Sequence, residues 1–219
     1  MVKGLAKTSH FALPPGTLDA SMITWTKGKL VHRVHLDFHP ADSFNASGKG
    51  NARFSPLVSS KDVIVPTIYA GETEDCALME TVFHDVPFTA RKKSLRKGRF
   101  EHQLHSLLRI DASLNLIDLG TIALRRLGIE RKYLIDTTKA HYPSSRQWAL
   151  ALYEQNPAAQ GLCWTSRQDD RALAIMLFGD RVPDGVLLQE GDSEELIQGG
   201  FVVSQVLELA DRLGVRIVH

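Results

Sequence analysis

An alternating segment from Leu30 to His39 is the feature that most restricts the fold of this 219-residue chain. Val34, Leu36 and Phe38 fall on one face of the segment, whereas Arg33 falls on the other with further polar residues. Alternation of this kind has the two-residue period of a β-strand, and a helix would scatter the same residues around its circumference. The segment therefore predicts a strand that presents Arg33 away from its apolar face.

Further strand and helix signals follow along the chain. Strands are expected at 63–69, 114–118, 161–164, 173–178, 186–188 and 215–218, and helices at 121–127 and 145–155. Thr73 is a good N-cap for a helix that should run to about His84. Asp192 and Glu195 form a capping-box pattern ahead of a final helix that Gly214 ends. This mixture predicts one α+β domain with a mixed or antiparallel sheet core and flanking helices.

The first 24 residues lack periodicity and contain Pro14, Pro15 and Gly16. We therefore expect an N-terminal arm over residues 1–24 and a single domain over residues 25–219. The residues from 85 to 113 are expected to form mainly a linker between the helix at Thr73 and the strand at 114–118.

Composition excludes several classes of protein. A net charge of +1 gives no overall basic field, so we expect no direct binding of nucleic acid. The longest apolar run, Leu173 to Phe178, is too short to span a membrane, and two distant cysteines are typical of a reducing compartment, which predicts a cytoplasmic protein. His32 would face away from His35 and His39 on a strand, so we expect no metal site.

A basic segment from Arg91 to Arg99 is the one local charge anomaly, because six of its nine residues are Lys or Arg. Such a run is usually a solvated loop or helix face. The alternative is a docking patch for an acidic partner or for phosphate, and the sequence alone leaves both interpretations open.

Four polar residues stand in positions that a structural role explains poorly, namely Arg33, Arg53, Tyr69 and Glu80. Arginine offers a bidentate fork to phosphate oxygens, and a tyrosine ring offers a flat face to a heteroaromatic base. A carboxylate can oppose a positive charge that develops during a reaction. A buried salt bridge between Glu80 and either arginine would explain the same residues without any ligand.

The order and spacing of these residues resemble the RES-domain family of toxins from bacterial toxin–antitoxin systems, from about residue 29 to residue 190. The matching segments are His32-Arg33-Val34, Ala52-Arg53-Phe54-Ser55, Ile68-Tyr69-Ala70, Ala77-Leu78-Met79-Glu80, and the two later signatures at 142–149 and 161–167. Arg53, Glu80 and Ser166 would be the arginine, glutamate and serine that name the family. Two features depart from the family pattern, namely the longer segment between Arg53 and Tyr69 and the N-terminal arm.

The resemblance implies a fold related to ADP-ribosyltransferase toxins and an enzyme whose substrate is NAD. In that scheme Glu80, Arg53 and Ser166 are catalytic, and Glu80 stabilises the sugar cation that forms when the nicotinamide–ribose bond breaks. Arg33 and Arg53 would hold the pyrophosphate, and Tyr69 would stack against nicotinamide or ribose. Ser166 would contact the ribose or orient Glu80, with His84 and Arg167 as supporting residues.

The resemblance leaves the acceptor of ADP-ribose open. The length and the arm resemble the ParT branch, which modifies the enzyme that makes phosphoribosyl pyrophosphate, so transfer to a protein is the first expectation. Hydrolysis or phosphorolysis of NAD is the close alternative. A cognate antitoxin with a helical toxin-binding domain would block the pocket, and segment 91–99 would help to bind it under the docking-patch interpretation. A noncatalytic module that binds a phosphorylated ligand or an acidic protein is the competing interpretation from another class.

Overall fold

The computed structural model describes residues 13–87, 89, 91–198 and 200–218. Its centre is a sheet of eight strands, namely β1 (Met22–Trp25), β2 (Leu30–Leu36), β5 (Thr67–Gly71), β7 (Gln103–Ile110), β8 (Leu114–Asp118), β9 (Gly161–Thr165), β10 (Leu173–Phe178) and β11 (Leu187–Glu195). Their order across the sheet is β1-β8-β9-β10-β5-β2-β7-β11. Two small sheets pair β3 (Leu57–Val58) with β4 (Ile64–Val65), and β6 (Lys93–Arg96) with β12 (Val215–Val218).

Within the large sheet only β8 and β9 run parallel, and every other neighbouring pair is antiparallel. The sheet is therefore mixed, and the predicted α+β class is confirmed. The strands β2 and β5 pair only where His32 lies opposite Gly71, whereas β2 and β7 pair along seven residues. The sheet is thus weakly paired at one junction, between β2 and the strand that carries Tyr69.

Five helices complete the described fold: α1 (Glu74–Thr81), α2 (Thr121–Arg126), α3 (Arg131–Leu134), α4 (Tyr142–Gln155) and α5 (Phe201–Arg212). Residues of the α2 to α4 region, such as Leu134 and Trp148, pack with Met176 and Phe178 on one face of the sheet. A second cluster covers the opposite face. None of the described helices is long and apolar enough to cross a lipid bilayer.

The helices α1 and α5 form a third cluster together with the small β6–β12 sheet. Leu78 of α1 packs with Val202, Val206 and Leu209 of α5, which are the buried stripe of that helix. Gly214 has a φ of 65°, in the left-handed region that glycine adopts without steric cost, so it ends α5 and turns the chain into β12 as predicted.

The alternating segment behaves differently from its sequence pattern. The strand β2 ends at Leu36, and the side chains of Leu36 and Phe38 are exposed. The buried face of β2 instead includes Val31, which packs in the second cluster on the same side as Arg33. The apolar face was predicted wrongly because β2 has packed neighbours on both faces, so polarity alone did not show which side is the core.

Four further regions differ from the sequence prediction. The expected linker at 85–113 contains β6 and the long strand β7, and the expected strand at 63–69 is divided at Pro66 between β4 and β5. The predicted capping box lies inside β11, and α5 starts instead after Gly200. The helix at Thr73 ends at Thr81, one turn before His84.

The N-terminal boundary of the sheet also lies earlier than expected. The strand β1 begins at Met22, where it pairs with Ile117 of β8, and Leu18 is already buried in the core. Part of the predicted arm is therefore integrated with the domain, while its first 12 residues lie outside the described part of the chain.

Candidate functional site

Four of the predicted site residues come from different elements around one face of the sheet. Tyr69 lies on β5, Glu80 lies in the last turn of α1, and Ser166 directly follows β9. Arg53 lies in the loop that precedes β3. Trp164 of β9 lies between two of these elements, because its ring lies 6.3 Å from that of Tyr69 and 5.1 Å from that of Phe54, the residue after Arg53, measured between centroids.

The helix α1 can place Glu80 here because it crosses β5 directly over Gly71. A Cβ atom on Gly71 would lie 2.8 Å from the backbone nitrogen of Ala77 and 3.0 Å from the Cβ of Cys76. Thr73 caps the helix by accepting a hydrogen bond from the amide of Cys76 at 3.1 Å. The glycine therefore fixes the distance between the helix and the sheet, and with it the height of Glu80 above β5.

The carboxylate of Glu80 is held through one oxygen. Its Oε1 accepts hydrogen bonds from the hydroxyl of Ser166 at 2.6 Å and from the backbone amide of Arg167 at 3.2 Å. The hydrogen bonds to Glu80 within the described part of the chain all reach Oε1. Oε2 is thus the oxygen available to a ligand, while Oε1 sets the orientation of the group.

Ser166 is fully buried, and its hydroxyl is engaged on all sides. It donates to Glu80 and accepts from the backbone amides of Gln168 and Asp169, each at 3.0 Å. A serine hydroxyl has one donor and two acceptor positions, so these bonds use its whole capacity. Of the two roles expected for Ser166, the geometry favours orientation of Glu80 over direct contact with a ribose.

Within the described part of the chain, Arg53 is a buried cation without a carboxylate partner. Its side chain is only 5% exposed, and its Nε atom is buried without a hydrogen-bond partner. No ion pair joins Arg53 to an acidic group among the described residues, and its guanidinium carbon instead lies 5.9 Å from the centre of the Tyr142 ring. A buried guanidinium that keeps its hydrogen-bonding capacity is suited to an anionic ligand. The structural salt bridge with Glu80 that the sequence allowed is not formed.

Tyr69 is connected to the Arg53 loop through its hydroxyl. The backbone amide of Phe54 donates to that hydroxyl at 3.2 Å. Burial raises the pKa of Tyr69 to about 12, although interactions with the Ser55 hydroxyl and the Phe54 amide oppose the rise. The phenol therefore stays neutral, and the residue contributes a ring and a hydrogen bond rather than a charge.

Arg33 is not brought to this group. Opposed residues of an antiparallel pair point to the same face, so the pairing of His32 with Gly71 puts His32 on the Tyr69 face and Arg33 on the other. There the guanidinium donates to the carbonyl of Ala41. Burial lowers the pKa of Arg33 to about 10, with Asp42 acting in the opposite direction. The predicted role of Arg33 in holding pyrophosphate has no support in this geometry.

Two residues that sequence reasoning did not single out complete the surroundings. Arg131 of α3 donates to the backbone carbonyls of Thr165 at 3.0 Å and Ser166 at 3.3 Å, which fixes the turn after β9. Tyr142 at the start of α4 packs its ring against Arg53. Tyr142 opens one of the signatures recognised in the sequence, so that motif was the available signal, but only the fold shows which side chain it faces.

Neither the nearby cysteine nor the surface cavities add a further reactive or binding group to the site. Burial, together with the charge of Glu80, raises the pKa of Cys76 to about 12, so its thiol does not act as a nucleophile. Two surface cavities, of about 300 and 460 Å³, lie beside α2 and beside the β3–β4 hairpin, and neither is lined by a predicted site residue. The site is therefore defined by burial and hydrogen bonding, not by cavity size.

Comparison with known proteins places the fold and these residues in a family. The RES-domain family matches residues 30–197, which is most of the chain and includes Arg53, Tyr69, Glu80 and Ser166. The chain belongs to the RES-domain family. The RES-domain match ends just beyond β11, so α5 and β12 lie outside it.

Comparison with solved structures shows a similar fold. The chain is similar to a chain of the Mycobacterium tuberculosis MbcT–MbcA toxin–antitoxin complex, with a TM-score of 0.60 and 14% sequence identity. The similarity covers 87% of this chain and 92% of the other, which shows a shared fold. A search of curated proteins gives no significant match.

Proposed function

We propose that this RES-domain protein is the toxin of a bacterial toxin–antitoxin system and that it cleaves the nicotinamide–ribose bond of NAD. The observation that carries the proposal is the presence of two complementary groups, which do not bind each other, around the same face of the sheet. Glu80 has one oxygen fixed by Ser166 and Arg167 and the other available. Arg53 is a buried guanidinium that no acidic group neutralises within the described residues. A dinucleotide offers a ribose to the first group and a pyrophosphate to the second.

The reaction follows from these charges. When the bond between C1′ of the ribose and the nicotinamide nitrogen breaks, its electron pair moves to that nitrogen and neutral nicotinamide leaves. The ribose then carries an oxocarbenium-like positive charge, which Oε2 of Glu80 would stabilise at close range. An acceptor adds to C1′ and gives up its proton. Arg53 would hold the pyrophosphate, and the Tyr69 ring would pack against the substrate.

The test is release of free nicotinamide from NAD by the purified protein. Glu80→Gln keeps the size of the side chain and removes its charge, so we expect release to fall by at least about 100-fold. Glu208→Gln, on the exposed side of α5, is the matched control and should retain activity. If the wild-type protein releases no nicotinamide with any acceptor present, the alternative of a noncatalytic phosphate-binding module is favoured.

The acceptor of ADP-ribose is part of the same proposal. We infer transfer to a protein, with phosphoribosyl pyrophosphate synthetase as the first target to examine, on the basis of the ParT-like length and arm. NAD carrying a label on its adenosine moiety, incubated with a cell extract and the toxin, distinguishes the outcomes. Label in a protein band supports transfer, whereas label only in ADP-ribose or its phosphate ester supports NAD hydrolysis or phosphorolysis.

The partner implied by this function is a cognate antitoxin. The structurally similar chain comes from a complex described as toxin–antitoxin, which supports an antitoxin for this chain as well. We propose that a helical domain of the antitoxin covers the site around Glu80, and that NAD and the antitoxin compete for the toxin. Cytoplasmic location follows from the same proposal, since NAD and the proposed targets are found there.

A further inference from the structure

Three hydrogen-bonded side chains, those of Asp85, His84 and Tyr142, lead to the guanidinium of Arg53. The hydroxyl of Tyr142 lies 3.1 Å from Nε2 of His84, and Nδ1 of His84 lies 3.0 Å from a carboxylate oxygen of Asp85. Tyr142 is 2% exposed, and the guanidinium carbon of Arg53 lies over its ring, 5.9 Å from the ring centre. The three residues thus connect the protein surface at Asp85 to the buried cation.

The carboxylate of Asp85 fixes the direction of the first bond, and the direction of the second follows for a neutral imidazole ring. A carboxylate only accepts hydrogen bonds, so Nδ1 of His84 carries the proton that it donates to Asp85. In the neutral ring Nε2 is then the acceptor, and the Tyr142 hydroxyl donates to it. Tyr142 is therefore held at both ends, by its hydroxyl on His84 and by its ring against Arg53.

Asp85 and His84 are themselves anchored from several elements. Lys139 and Arg99 bind the other oxygen of Asp85 at 2.8 Å and 3.1 Å, and Lys139 is the main group that lowers the pKa of this carboxyl. The side-chain amide of Gln168 donates to the backbone carbonyl of His84 at 3.2 Å. The backbone amide of Gln168 also donates to the hydroxyl of Ser166, which orients Glu80. Gln168, in the turn after β9, therefore contacts both the residues that support Arg53 and the residue that orients Glu80.

A neutral support has an advantage for a phosphate-binding arginine. A carboxylate beside Arg53 would fix its position but would also compete with the phosphate for the same charge. An aromatic ring attracts the cation without neutralising it and makes no demand on its N–H groups. We propose that Asp85, His84 and Tyr142 are positioning residues that hold Arg53 for the pyrophosphate of the substrate. The proposal rests on the proposed function for the identity of that substrate.

The decisive property is that His84 acts only through Tyr142. We expect His84→Ala and Tyr142→Phe each to raise the KM for NAD by about three- to tenfold with little change in kcat, and Tyr142→Leu, which removes the ring, to raise KM further. The double variant H84A/Y142F should be no worse than either single variant. His84→Gln, which restores an acceptor near Nε2, should recover most of the wild-type KM. The pair of His102 and Asp37, exposed at the ends of β7 and β2, offers His102→Ala as the control, with an unchanged KM.

The measurement is steady-state nicotinamide release over a range of NAD concentrations, with thermal melting to confirm that each variant is folded. Additive losses in the double variant, or losses in kcat alone, would overturn the positioning role while leaving the proposed function intact. If the wild-type protein releases no nicotinamide, the proposed function fails instead. The same variants are then compared by calorimetric binding of inorganic pyrophosphate, where non-additive losses of affinity support the inference and additive losses overturn it.

Discussion

At the scale of single residues, some polar groups of the site orient other side chains, whereas others remain available to bind a ligand. The hydroxyl of Ser166 donates its proton to Glu80 and accepts hydrogen bonds from two backbone amides. Because these bonds occupy its donor and both acceptor positions, it cannot also bind a substrate. Arg53 shows the opposite condition, because burial removes it from water and no acidic group among the described residues pairs with it. A reaction that creates positive charge on a phosphate-linked sugar needs an oriented carboxylate to stabilise the sugar and an unneutralised cation to bind the phosphate.

Ser166→Ala tests the orienting role. Loss of a hydrogen bond to a charged carboxylate costs about 1.5–3 kcal/mol, so we expect kcat for nicotinamide release to fall by about 10- to 100-fold. The KM for NAD should change little, because the serine makes no bond to the substrate in this scheme. A large rise in KM at constant kcat would show instead that Ser166 contacts the ribose.

At the scale of secondary-structure elements, the position of Glu80 depends on how closely α1 approaches the sheet at Gly71. We expect Gly71→Ala to destabilise the protein by about 1–3 kcal/mol, since the added methyl group must push against the helix backbone. Activity should fall further than stability alone explains, because Glu80 moves with the helix. Gly16→Ala is the control, since its Cβ would meet nothing within 4 Å. Chemical denaturation and nicotinamide release measure the two effects, and a wild-type unfolding midpoint for Gly71→Ala would contradict this account.

The elements also show how far the sequence can be interpreted. The strands at 114–118, 173–178 and 215–218 were predicted with the observed bounds, because each is a short apolar or β-branched segment between turn residues. The strand β7 was missed because it carries His105, Ser106 and Arg109 on a strand that has neighbours on both sides. Its pairing with β2 and β11 outweighs the weak local preference of these residues.

The same limit applies to the candidate site. Arg53, Tyr69, Glu80 and Ser166 were recognised through motifs, but the face to which Arg33 points depends on the pairing of β2 with β5, which no local pattern contains. Tyr142 and Arg131 act through contacts with distant parts of the chain. Long-range pairing, not residue type, decides which polar residues meet.

At the scale of the whole molecule, a net charge of +1 conceals an uneven surface. Most of the basic segment forms β6 and a following 3₁₀ turn, beside β12. Arg91, Lys92, Arg96 and Arg216 are exposed there, and within the described residues none of them forms an ion pair. Arg99 of the same segment binds Asp85, the outer end of the support behind Arg53. The patch therefore lies next to the elements that hold the site.

We expect this β6–β12 surface to contribute to capture of the proposed antitoxin through acidic groups on that partner. Arg96 and Arg216 are exposed on the same two-stranded sheet, whereas Lys93 is engaged by the carbonyl of Leu213 and is best left intact. The double reversal R96E/R216E should lower affinity by about tenfold or more, mainly through slower association, and the difference should shrink at high salt. K61E/R125E makes the same change in net charge on other exposed positions and should bind normally. Surface plasmon resonance at two ionic strengths measures both rates. Equal association rates for the two double variants would show that the basic segment is a solvated surface and does not contribute to binding of the antitoxin.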